Sequence, residues 1–255
     1  MRKAAIEVGT GRAAIVGVLG GMGPAATADF YRKLVEATPA TTDQQHLQVV
    51  VWSDPTIPDR TAALLDGGTD PSPWLRHGLH VLTWAGADLI AVPCNTAHAF
   101  LSPAGGRTGV PVVHMIDQAV RAVAELTPPV RRVGLLATTG TVRAGLYQDW
   151  LGRAGLAAVL PTDDEQESLV AAAIRAVKAG DRGARVAAAL GSAGASLARR
   201  GAQVIIAGCT EIPLVLGERC GPVPVIDPTR VLARAVVAAA LGTAADPTRY
   251  AVARP

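Results

Sequence analysis

The chain has 255 residues, of which 49% are hydrophobic, with 24 Lys and Arg against 21 Asp and Glu. That composition can bury a sizeable core, as one large domain or two small ones. A net charge of +3, with no dense basic run interleaved with aromatics, argues against nucleic acid, and no apolar stretch is long and pure enough to span a membrane.

In chain order, residues 1–12 read as a loose leader, because Arg2 and Lys3 are followed by Glu7, Gly9 and Gly11 and no apolar run precedes a cleavage site. Apolar runs at 14–19, 47–52, 89–92 and 110–114 have strand length, and the segments near 25–37, 72–86 and 117–125 have helical spacing. The alternation then recurs, with strands over 132–137, 157–160, 204–207 and 223–226 and helices near 143–154, 165–179 and 183–200. Such alternation predicts an α/β fold with parallel sheets covered by helices.

The halves also match in detail. The strand before Gly20-Gly21-Met22-Gly23 corresponds to the one before Ala137-Thr138-Thr139-Gly140, 118 residues on. Pro93-Cys94-Asn95-Thr96 corresponds to Gly208-Cys209-Thr210-Glu211, 115 residues on, and the segment ending at Asp117 to the one ending at Asp227, 110 residues on. Offsets that drift so little imply two copies of one α/β unit with unequal loops. Facing each other, the copies put Cys94 and Cys209 on opposite walls of one cleft.

Each of these cysteines stands where a buried strand ends and a helix is expected to start. The positive end of a helix dipole lowers a thiol's pKa, so both are expected to be poised as thiolates. Two thiols across a cleft permit one to take a proton from carbon while the other delivers one to the opposite face. The amides after each cysteine, with Thr96 and Thr210, can hold a carboxylate. Cys220, in a Gly/Pro-flanked loop, reads as structural. Three cysteines without disulfide spacing suit a reducing cytoplasm, and no CxxC or HxxxH pair suggests zinc. His98 either tunes the Cys94 thiol or is a structural histidine, and His114 carries the same two readings.

The segments Gly20-Gly21-Met22-Gly23-Pro24, Asp54-Pro55-Thr56-Ile57-Pro58-Asp59-Arg60, Pro93-Cys94-Asn95-Thr96-Ala97-His98 and Gly208-Cys209-Thr210-Glu211-Ile212 resemble the signatures of the aspartate/glutamate racemase family, in family order. Glu211, where glutamate racemases usually have His, is closer to the aspartate racemase branch. The resemblance implies a cofactor-independent racemase of two pseudo-symmetric three-layer α/β domains with parallel four-stranded sheets, commonly a homodimer. The domains are expected over 13–117 with a C-terminal helix 228–245, and over 118–227. It implies Cys94 and Cys209 as the catalytic acid/base pair, and Asn95, Thr96, Ala97 and Thr210 around the α-carboxylate and amino group. Arg60 and Lys178 would reach the side-chain carboxylate of an acidic amino acid, aspartate ahead of glutamate. Met22 and Thr139, in equivalent first loops, would line the site beside Glu211, which either shares a proton with Cys209 or caps the following helix.

Duller readings stand beside these. Arg60 suits a surface salt bridge, and Lys178 suits a helix C-terminus. Gly21-Met22-Gly23-Pro24-Ala25-Ala26 partly resembles a dinucleotide fingerprint, but no acidic residue follows at the usual interval. Within the superfamily the alternatives are a maleate-type isomerase, a malonate decarboxylase, or a non-catalytic dicarboxylate-binding protein. Two intact cysteine motifs favour racemisation.

Overall fold

A computed structural model of the chain describes residues 14–101 and 109–242. The expected leader at 1–12 and the last residues of the helix expected to reach 245 lie outside the described residues.

Two parallel sheets form, with the same strand order. In the first, Val16–Gly20 (β1) pairs with Val49–Ser53 (β2) and Leu89–Ala91 (β3), and β3 pairs with Val112–Val113 (β4), giving the order β2-β1-β3-β4. In the second, Arg132–Ala137 (β5) pairs with Ala157–Val159 (β6) and Val204–Gly208 (β7). Arg219–Cys220 (β8) lies antiparallel on Val223–Ile226 (β9), which pairs with β7, so the order is β6-β5-β7-β9-β8. The four parallel strands of each half are those expected, and β8 is an extra antiparallel edge that two residues in a Gly/Pro-rich stretch did not signal.

Helices cover both faces of each sheet because their apolar residues recur at helical spacing. On Pro24–Ala37 (α1), opened by Pro24 in the first turn, Ala26, Phe30 and Leu34 are buried in register. Arg60–Leu65 (α2) is capped by the Asp59 carboxylate, which accepts from the Ala62 N–H at 2.8 Å. Ser72–Trp84 (α3) buries Leu75, Leu79 and Leu82 against Leu19 and Ile90. Each buried leucine contributes about 1.5–3 kcal/mol.

The last helix of each repeat crosses over. Met115–Ala124 (α4) follows β4, yet its Ile116, Ala119, Val120 and Val123 pack on Val133, Leu135 and Val204 of the second sheet, beside Tyr147 and Leu151. The C-terminal Pro228–Ala240 helix follows β9 and packs Leu232, Val236 and Val237 on Val16, Val18 and Ala91 of the first. Lys33, buried on α1, pairs with Asp29 at 2.5 Å and with Asp227 at 2.6 Å, and Asp227 caps the C-terminal helix through the Thr229 N–H. The halves are therefore interlocked, which fixes how their strand ends face each other.

Candidate active site

In a sheet ordered 2-1-3-4 the chain reverses direction between the first and third strands, and the crevice beyond their carboxyl ends is where such folds bind ligands. The first half places the Gly20–Gly23 and Cys94 loops there, and the second half places the Thr138 and Cys209 loops. A narrow pocket between these ends is lined by Met22, Asp59, Arg60, Thr61, Cys94, Asn95, Thr96, Thr138, Lys178, Cys209, Thr210 and Glu211.

Both thiols face this pocket, and both are buried. Neither stands at an α-helix N-terminus. Each strand gives way instead to a short 3-10 turn, Thr96–Ala99 after Cys94 and Ile212–Leu214 after Cys209, too short to sum backbone dipoles. The expected depression of the thiol pKa is not what Cys209 has. Burial pushes it well above its ordinary value, and the adjacent Glu211 carboxylate pushes the same way, with Lys178 pulling in the opposite direction. The Cys209 thiol donates to Glu211 Oε2 at 3.0 Å, and the Thr210 hydroxyl donates to the same oxygen at 3.2 Å. Glu211 reaches across the cleft: a Cβ built on Gly23 of the first half would lie 3.4 Å from its Oε1.

The two residues after Cys94 are held by hydroxyls from the second half. Thr96 Oγ1 lies 3.0 Å from Thr138 Oγ1 and 2.9 Å from Thr141 Oγ1, and those two lie 3.0 Å apart. Asn95 Oδ1 accepts from the Tyr147 hydroxyl at 2.6 Å, while its buried Nδ2 has no partner among the described residues. Gly140 permits the approach of Thr139–Arg143 (α5) to α2, since a Cβ there would fall 2.8 Å from Thr61 Oγ1.

Arg60 is not a surface residue. It is buried, with Nη1 donating to the carbonyls of Ile57 at 3.0 Å and Pro58 at 2.8 Å, and Nη2 to Met22 at 3.4 Å. No carboxylate pairs with it among the described residues, and its buried Nε lacks a partner. A buried cation held by carbonyls, with its Nε–H unused among the described residues, suits an anion that is not part of the protein. Lys178, the last residue of Ala172–Lys178, is exposed at the mouth of the same pocket.

Two expected lining residues lie elsewhere. Thr139 faces away, donating to Glu167 Oε1 at 2.8 Å, and its neighbour Thr138 takes the wall position. Ala97 is buried in the apolar cluster behind Cys94. Asp59, Thr61 and Thr138 line the pocket without having been picked out in the sequence; the repeat pointed to the loop at 138 but not to the residue in it. The histidines lie behind the wall. His98 Nε2 donates to the Val92 carbonyl at 3.1 Å and its ring packs 4.5 Å from His114, so burial first and the neighbouring ring second depress its pKa strongly. His114 Nδ1 accepts from the Asp117 N–H at 3.3 Å as the cap of α4, and burial lowers its pKa too. Cys220 is buried in β8, away from the pocket.

The glycine loop is filled by protein. Thr27 Oγ1 accepts from Gly21 N–H and donates to the Gly23 carbonyl, both at 2.9 Å. Gly21, at φ +93°, lies so close to the Asp54 backbone that a Cβ would approach it within 2.3 Å. These contacts use the loop to brace the pocket and leave the Gly21 amide engaged.

The model of the Asp/Glu/Hydantoin racemase family matches residues 19–236. The broad specificity amino-acid racemase RacX of Bacillus subtilis is 26% identical over 236 residues, which cover 88% of this chain and 96% of that one. Among solved structures, the aspartate racemase of Picrophilus torridus superposes with a TM-score of 0.79 at 30% identity, covering 89% of this chain and 94% of that one. A putative Asp/Glu racemase from Yersinia pestis gives 0.75 at 27% identity, covering 89% and 99%.

Proposed function

The chain belongs to the Asp/Glu/Hydantoin racemase family, and on that premise we propose that it interconverts L- and D-aspartate with Cys94 and Cys209 as opposed acid and base. The observation that carries this reading is one pocket receiving both thiols from equivalent strand ends, together with a buried Arg60 that no described carboxylate neutralises. The likeness to the Picrophilus torridus aspartate racemase supports the choice of substrate.

In this reading the α-carboxylate is held by Asn95 and Thr210, and the side-chain carboxylate by the Nε–H of Arg60, with Lys178 at the mouth. A thiolate on one wall removes the α-proton. The electron pair left on carbon delocalises into the bound carboxylate, and the thiol on the other wall gives its proton to the opposite face. One sulfur gains the proton that leaves the α-carbon and the other gives its own proton to that carbon, so the step balances without a cofactor. Glu211 supports the exchange at Cys209, because its carboxylate already accepts a hydrogen bond from the thiol at 3.0 Å. It keeps the resting Cys209 protonated and receives the proton when that thiol must act as base.

We further place Cys94 in a domain of 13–117 with the C-terminal helix, and Cys209 in 118–227, in a protein working as a homodimer in a reducing cytoplasm. No described helix is long and apolar enough to cross a membrane.

A panel of amino acids in deuterated solvent tests the reaction and the substrate together. Aspartate is expected to exchange its α-proton and racemise fastest, glutamate more slowly and alanine least. Exchange confined to uncharged amino acids would remove Arg60 from its role, and no exchange from any amino acid would end the racemase reading.

A further inference from the structure

Tyr147 is the side chain that joins the two cysteine loops. It lies on Leu146–Arg153, in the second half, and is fully buried. Its hydroxyl crosses to the first half and donates to Asn95 Oδ1 at 2.6 Å, one residue beyond Cys94. Its ring edge lies against the residue before Cys209: a Cβ built on Gly208 would come 3.1 Å from Tyr147 Cε2. Periodicity explains a buried aromatic at this position. It does not explain a hydroxyl carried through an apolar cluster to a single amide in the pocket wall.

The consequence lies in how Asn95 is left. An amide side chain has one acceptor and two donor hydrogens, and swapping its ends inverts what it offers. Burial raises the Tyr147 pKa strongly, so the phenol keeps its proton and is the donor here. With Oδ1 held by that proton, the NH₂ end is the one presented elsewhere, and it is a buried donor in the pocket wall with no partner among the described residues. Unpaired buried donors are uncommon, and one that lines a pocket points to a ligand acceptor.

We propose that Tyr147 is a positioning residue that locks the Asn95 amide with its NH₂ toward the substrate's α-carboxylate, while its ring holds the Cys209 loop in register with the Cys94 loop. Tyr147 touches no substrate itself, and the proposal rests on the racemase reading above. Losing the hydroxyl leaves Oδ1 without its donor and frees the amide to turn its oxygen toward the carboxylate, which repels it. The ring remains, so packing against Gly208 is retained.

The test is a double-mutant cycle on the full chain, followed by kcat/KM for aspartate racemisation and by thermal unfolding. Tyr147→Phe is expected to lower kcat/KM about tenfold or more, the scale of one oriented hydrogen bond and a misdirected amide. In an Asn95→Ala background the same change is expected to alter kcat/KM by less than about twofold, because the amide it orients is gone. Asn95→Asp, which keeps an oxygen for Tyr147 but replaces the donor, is expected to lose activity at least as severely as Asn95→Ala, and this arm does not depend on the stability of the Phe variant. Full activity in Tyr147→Phe, equal losses in both backgrounds, or an Asn95→Asp protein as active as wild type each overturns the positioning role while leaving racemisation standing. A wild-type protein that racemises no amino acid overturns both.

Discussion

The loops after β3 and β7 occupy equivalent places in duplicated halves, yet the residue two beyond each thiol differs, Thr96 in one and Glu211 in the other. At Cys94 the flanking side chains are held by neutral hydroxyls of the opposite half, Tyr147 on Asn95 and Thr138 and Thr141 on Thr96. At Cys209 a buried carboxylate accepts a hydrogen bond from the thiol directly. One backbone frame thus carries two electrostatic settings. A racemase that meets mirror-image substrates needs equivalent geometry on both faces, but its two proton carriers need not rest in the same protonation state. Burial and Glu211 both push the Cys209 thiol toward its protonated form, the form the proposed reaction would need it to hold when it acts as acid.

The largest expected effects come from deleting either side. Cys94→Ala and Cys209→Ala are each expected to lower racemisation by about 10⁴-fold, the upper range for losing one acid–base group, and an assay of aspartate optical rotation reads this directly. Removing the shared anchor comes next. Arg60→Leu is expected to raise KM for aspartate about 10- to 100-fold, through lost charge-assisted hydrogen bonds, with little change for alanine. An unchanged KM for aspartate would exclude Arg60 from the site.

Glu211→Gln sharpens the contrast between the loops. The carboxylate's charge opposes formation of the Cys209 thiolate, so its removal is expected to shift that thiol's titration to lower pH. Site-resolved alkylation across a pH series, read by mass spectrometry, should then show Cys209 reacting faster at a given pH than in wild type, with the Cys94 curve unmoved. Equal curves for Cys209 in the two proteins would contradict the assigned cause. The smallest effect concerns packing. Gly208 lies where a Cβ would come 2.8 Å from Leu135 Cδ1 and 3.1 Å from the Tyr147 ring, so Gly208→Ala is expected to cost about 1–3 kcal/mol in denaturant unfolding.

Much of this was legible in the sequence. Strands over 132–137 and 223–226 begin and end where their apolar runs do, and the repeat placed both thiols at equivalent strand ends. The repeat also indicated the first-loop walls, though it pointed to Thr139 where Thr138, the cap of α5, turns inward. What could not be read depends on how the halves meet. Tyr147 has the ordinary spacing of a core aromatic, and only the docking of the second half on the first carries its hydroxyl to Asn95. The direction of the Cys209 shift was missed for a related reason: it depends on depth of burial and on a 3-10 turn replacing a helix, neither of which periodicity reports. Arg60 gave the opposite surprise, a charged residue that burial without a carboxylate partner among the described residues makes more informative than its motif.

The opposed-thiol account is tested most directly by following loss of α-deuterium from L- and D-[2-²H]aspartate separately in Cys94→Ala and Cys209→Ala. Each variant retains a base on one face only, so each is predicted to exchange one enantiomer without inverting it, and the two variants are predicted to choose opposite enantiomers. Exchange of the same enantiomer by both, or racemisation at the wild-type rate by either, would contradict it.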